Sequence, residues 1–212
     1  MLLLVTKAEV NLSRFFSPYL GRLVQPRHFP RLEATARALR PWAADNDAFG
    51  GWDTTRHERW VMMLQGLVGV PGCKFVTVPD VVGDHDTTLE MFYAHRHLVT
   101  HLAGQPVAFV AQDGATPSTV PFHDIDALFL GGTTQFKLGP DAALLADEAR
   151  ARGKWLHMGR VNSRKRLRYA HSLGCDSVDG TSFSMFTDTH LPWALELLHD
   201  LDAYPHPLEE LA

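Results

Sequence analysis

Acids and amides recur in this chain directly after short apolar runs. Asp45 and Asp47 follow Pro41-Trp42, Asp80 follows Phe75 to Pro79, Gln112 and Asp113 follow Val107 to Ala111, and Asp179 follows Val178. Gly131-Gly132-Thr133-Thr134 follows Leu128 to Leu130, and Met158-Gly159-Arg160 follows Trp155. If the apolar runs are parallel strands, all of these positions share one rim, the place where a barrel assembles its catalytic groups. Three carboxylates with no thiolate and no suitably spaced His/carboxylate group favour acid–base or covalent carboxylate chemistry over metal catalysis. Asp84-His85-Asp86 is the one cluster that suggests a metal. Neighbours in a loop rarely converge on one ion, so these residues are expected to cap a helix starting near Thr87, and neither metal nor cofactor is expected. His95, His97 and His101 share one helix and read as a solvated face.

A second feature is cationic. Arg160 is followed by Arg164, Lys165, Arg166 and Arg168, three of which fall in the first turn of a helix, where the macrodipole disfavours positive charge. An external anion would reverse that cost, so a phosphate is expected near Arg164 and Lys165.

The elements that must position these groups follow from the same runs. Segments near 2–6, 42–46, 74–80, 107–112, 127–131, 155–159 and 176–179 are apolar without alternation, which marks strands covered on both faces. Leu89 to Leu102, Asp141 to Arg152 and Ser163 to Leu173 read as helices between them, the last opened by Asn162/Ser163 and closed by Gly174; Pro192 is expected to start a final helix ended by Pro205 and Pro207. Seven strands plus one weak one make a compact TIM-like (β/α)8 barrel with a degenerate element, in a single domain over 1–212; an open doubly wound sheet is the alternative.

Composition agrees. The chain has 212 residues, 45% hydrophobic and 21% charged, with a formal net charge of −4. These values exclude disordered, collagen-like and coiled-coil classes and give no global electrostatic case for nucleic acid. Lys and Arg gather in residues 1–40 and acids in residues 169–212, a polarity that would set a basic face beside an acidic one. Cys73 and Cys175 form no CxxC pair, no apolar run approaches a bilayer span, and the Met1 to Thr6 run is too short for a signal segment; a cytoplasmic protein away from membranes is expected.

With these residues in hand, the chain resembles the tRNA-guanine transglycosylase superfamily, and within it the short branch that inserts deazaguanine bases into DNA. The likeness runs from about Trp42 to Ser184. Its strongest piece is Met158-Gly-Arg-Val-Asn-Ser…Leu173-Gly-Cys-Asp-Ser-Val-Asp179-Gly, which places Asp179 on the family's nucleophilic aspartate. Asp45-Asn-Asp-Ala-Phe49 places Asp45 on the second catalytic aspartate and Phe49 on the aromatic that stacks on the base. The resemblance further implies guanine recognition by Asp80, Gln112 and the Gly131-Gly132 backbone, with Met158 closing the other face of the ring. It implies base exchange through a covalent Asp179 intermediate, with DNA favoured over tRNA, a deazaguanine co-substrate, Arg160 to Arg168 on the flanking phosphates, and a homodimer or accessory DNA-modification proteins as partners. Two departures stand out: the family's zinc module is missing, and Asp47 stands where the family has a glycine.

Two other functions fit the residues themselves. Gly131-Gly132-Thr133-Thr134 and the cationic helix start suit a barrel enzyme acting on a free nucleoside or a phosphosugar. The basic first forty residues suit a non-catalytic nucleic-acid-binding barrel.

Overall fold

A computed structural model describes residues 1–7, 9–28 and 40–203. Eight parallel strands close on themselves in sequence order: β1 (Leu2–Val5), β2 (Leu20–Val24), β3 (Trp42–Ala44), β4 (Cys73–Thr77), β5 (Val107–Ala111), β6 (Ala127–Leu130), β7 (Trp155–Met158) and β8 (Ser177–Asp179). Pairing of Leu4 with Asp179 joins β1 to β8, which excludes the open sheet.

The strand missing from the sequence reading is β2. Gly21 and Arg22 interrupt its apolar run, yet the glycine is what the barrel needs there: a Cβ would lie 2.6 Å from Leu4 Cδ2 and 2.8 Å from the Pro41 carbonyl. All eight strands of the barrel are present among the described residues.

Most strands are apolar on two faces because they pack twice. Leu4, Leu23, Phe75, Val110 and Phe129 fill the interior, while Leu3, Trp42, Val76, Phe109 and Leu156 face the surrounding helices. This double burial explains runs without visible alternation.

The helices are α1 (Glu9–Leu12), α2 (Thr54–Gly66), α3 (His85–Leu98, continued by a π turn over Val99–Ala103), α4 (Thr134–Lys137), α5 (Pro140–Ala151), α6 (Arg164–Ser172), α7 (Thr181–Met185) and α8 (Thr187–Ala203). Asp84 caps α3, accepting from the Thr87 N–H at 3.0 Å, and Ser163 caps α6. Pro192 lies inside α8 and does not start it, with the loss of one intrahelical bond. Pro205 and Pro207 lie outside the described residues. Among the described residues no helix is long and apolar enough to cross a membrane.

Candidate active site

The ends of β3, β4 and β5 build one wall of a cleft over the carboxyl face of the barrel. Asp45, immediately after β3, accepts from Gln25 Nε2 at 2.8 Å, and Gln25 Oε1 in turn accepts from Arg27, which pairs with Asp47 at 3.2 Å. That chain fixes which end of the Gln25 amide faces Asp45. Burial outweighs this hydrogen bond, and with the charge of Asp179 it pushes the Asp45 carboxyl up to about 6.

Asp80, after β4, is held more tightly. One oxygen accepts from Asn46 Nδ2 at 2.7 Å and the other from Gln112 Nε2 at 2.6 Å. Neither amide can turn over, because Asn46 Oδ1 accepts from the Ala48 N–H and Gln112 Oε1 accepts from the Gly83 N–H. Burial pushes Asp80 up to about 7 against the opposing effect of the Asn46 hydrogen bond. Gln112, to which the resemblance assigns base reading, thus has one N–H and its oxygen engaged within the protein.

The opposite wall comes from β7 and β8. Asp179 accepts from His157 Nε2 at 3.0 Å on one oxygen and from the Arg160 N–H at 3.3 Å on the other. The close fit depends on Gly159, whose Cβ would sit 2.7 Å from Phe129 and 3.3 Å from Asp179 Oδ2. Arg160 follows in a left-handed conformation with φ of 59°. Its guanidinium donates to the Gly132 carbonyl and lies 5.5 Å over the Phe49 ring at the cleft mouth. Lys137 and Arg166 brace this turn by donating to the Gly159 and Arg160 carbonyls. Burial and the neighbouring Arg160 charge lower the Lys137 ammonium to about 8. Asp47 and Arg160 are the two non-glycine residues with positive φ among the described residues, and both line the cleft. Strained backbone of this kind gathers at functional sites, at about 1–3 kcal/mol each.

The cavity encloses about 420 Å³, within the range of small-molecule sites. Asp45, Asp80, Gln112, Gly131, Gly132, Phe49, Arg160 and Asp179 all line it, so eight of the residues singled out by sequence converge. Met158 does not. Strand alternation turns it outward into the helix-packed layer, 2% exposed, and the inward residue of that strand is His157. Arg164, Lys165, Arg166 and Arg168 also lie outside the lining. Arg164 stacks on Trp193 at 4.8 Å and Ser163 caps the helix, so the first turn of α6 is met by the protein's own groups. The Gly131–Thr134 loop likewise has an internal partner: Asp113 accepts from both the Thr133 N–H and its hydroxyl. Sequence reasoning missed His157, Gln25, Asn46 and Lys137. His157 sits within a run read as an apolar strand and Lys137 in a stretch to which the sequence reading gave no element; the signal for His157 is a polar residue in the middle of a strand.

Among the described residues no group of three or more His, Cys, Asp or Glu is placed to hold a metal ion. Cys73 and Cys175 are both free, and burial pushes both thiols up.

No protein-family model matches the chain, and no curated protein matches it. Among solved structures, it is similar to a mandelate racemase/muconate lactonizing protein from Herpetosiphon aurantiacus, at 16% identity and a TM-score of 0.52, over 84% of this chain and 54% of that one. It is also similar to a mandelate racemase/muconate lactonizing enzyme from Roseiflexus sp., at 16% identity and a TM-score of 0.50, over 84% and 53%. The chain therefore spans about half the length of these structures, and at this identity the likeness establishes the barrel fold alone. These findings overturn the resemblance to guanine transglycosylases, since the neighbours belong to a different group of barrels. With it fall the guanine-exchange reaction, the pentosyltransferase activity and the DNA-modification role read from it. The outward Met158, the engaged Gln112 and the α6 cations outside the cleft supply physical reasons why those motif matches mislead.

Proposed function

We propose that this chain is a barrel enzyme that performs acid–base chemistry on a small neutral molecule, with a free nucleoside as the substrate class. The observation that carries the reading is that Asp45 and Asp179 line one cavity from opposite walls, and burial, with a smaller contribution from the charge of Asp179, raises the Asp45 carboxyl to about 6. Two carboxyl groups in contrasting environments are the usual equipment for giving a proton to a leaving group while activating a nucleophile. In this scheme Asp45 protonates the departing ring nitrogen, the C1′–N bond breaks with its electron pair leaving on the base, and water adds to C1′ while its proton passes to Asp179.

The lining favours a flat ring over a phosphate. Leu23, Val82, Val110 and Phe129 supply apolar walls, and Phe49 with Arg160 makes a stacking edge at the mouth. Two groups that could hold a phosphate are already engaged: Thr133 donates to Asp113, and Arg27 is paired with Asp47. The solved neighbours carry enzyme names that refer to mandelate and muconate, themselves small molecules, which is consistent with this scale of substrate.

The test is release of free base from adenosine, guanosine, inosine, cytidine and uridine, followed by chromatography beside a panel of sugar phosphates. Base release from at least one nucleoside is expected. Turnover of sugar phosphates with every nucleoside left intact would contradict the reading.

A further inference from the structure

Behind Asp179 a hydrogen-bonded chain runs through the barrel interior. Trp155 Nε1 and Ser177 Oγ lie 2.8 Å apart, Ser177 Oγ and His157 Nδ1 lie 2.8 Å apart, and His157 Nε2 lies 3.0 Å from Asp179 Oδ2. The direction of this chain is set at its carboxylate end and is compatible with the donors at the other. An indole N–H can only donate, so Ser177 accepts from Trp155 and has its own proton free for His157 Nδ1. At the carboxylate end, a proton on Nδ1 would leave the Nε2 lone pair facing a carboxylate. The carboxylate therefore places the imidazole proton on Nε2, and the Ser177 hydroxyl can donate to the bare Nδ1. The ring has no freedom to escape this arrangement: His157 is fully buried and lies between Phe75 and Phe129, at 5.0 and 4.4 Å between ring centres.

From this arrangement we infer that His157 is the positioning residue of the site, fixed as the Nε2–H tautomer by the carboxylate it faces and thereby holding Asp179 Oδ2 so that Oδ1 faces the cleft. The inference rests on the reading of Asp179 as the proton acceptor. Oδ1 carries only the longer 3.3 Å contact from Arg160 and lies on a residue that lines the cavity, so it is the oxygen available to a water or substrate. His157 itself touches no substrate, because it does not line the cavity.

The tautomer can be read without any substrate. In the ¹⁵N-labelled full chain at pH 8, long-range ring correlations should show His157 protonated on Nε2; an Nδ1–H tautomer or an even mixture overturns the inference. In nucleoside cleavage, His157→Phe keeps the aromatic packing and loses the hydrogen bond, so kcat should fall about 10–100-fold with KM within about threefold, and His157→Gln should recover part of kcat. An unchanged kcat in His157→Phe also overturns it while leaving the nucleoside reading intact. If wild-type protein cleaves no nucleoside, the function fails and the tautomer measurement still decides the fate of His157.

Discussion

Replacing Asp179 by Asn should lower kcat for nucleoside cleavage by about 10³-fold or more, with a small change in KM and an intact fold. General base assistance supplies about 10²–10⁴-fold, and an amide cannot take the proton of an attacking water. The fold should survive because the carbonyl of the substituted amide can still accept from His157 Nε2, which lies 3.0 Å from the native carboxylate. Asp179→Ala is the harsher change, since it strands a buried imidazole N–H at a cost of about 1–3 kcal/mol. Comparing kcat, KM and circular dichroism for the two variants separates chemistry from packing. Activity of Asp179→Asn within tenfold of wild type would contradict the assignment.

The second large effect is on stability. Burial raises Asp80 to about 7 and Asp45 to about 6, so the folded state binds these protons more tightly than the unfolded chain, whose aspartates titrate near 4. The stabilisation from this linkage is fully present below about pH 4 and is lost as pH rises through 6 and 7. Unfolding free energy should therefore decline between pH 5 and pH 8, with Asp80 contributing about 2–4 kcal/mol. Asp80→Asn isolates that contribution. Asn46 and Gln112 both donate to Asp80 and both are fixed by backbone partners, so the new amide must turn its own N–H₂ toward one donor. The variant should be less stable than wild type at pH 5, and the gap should close as pH rises. Urea unfolding at pH 5, 6, 7 and 8 checks this; equal slopes in the two proteins would contradict it.

Strand order and the carboxyl-end rim are legible because a parallel strand buried on both faces is an uninterrupted apolar run, and a polar residue at its end has only the rim to occupy. Asp45, Asp80 and Asp179 are visible for that reason. The same burial hides the inward-outward parity. Within Trp155-Leu-His-Met158 the unbroken apolar run masks that His157 faces Phe75 and Met158 faces the helices, so the resemblance puts Met158 on the ring and His157 is passed over. β2 escapes because Gly21 and Arg22 read as a break, although Gly21 is there to let β1 and the Pro41 carbonyl approach. The cations of α6 look unsatisfied along the chain, and the ring that meets Arg164 belongs to α8, a contact made only in three dimensions.

On this account one carboxyl holds its proton up to about pH 6 and shares its cleft with a second carboxyl, Asp179. Carbon-detected NMR titration of the aspartate side chains tests that pairing most directly, in wild-type protein and in Asp179→Asn. Asp45 should titrate near 6 in the wild type, and its midpoint should move down once the facing charge is gone. A midpoint near 4, or one that ignores the substitution, would contradict the account.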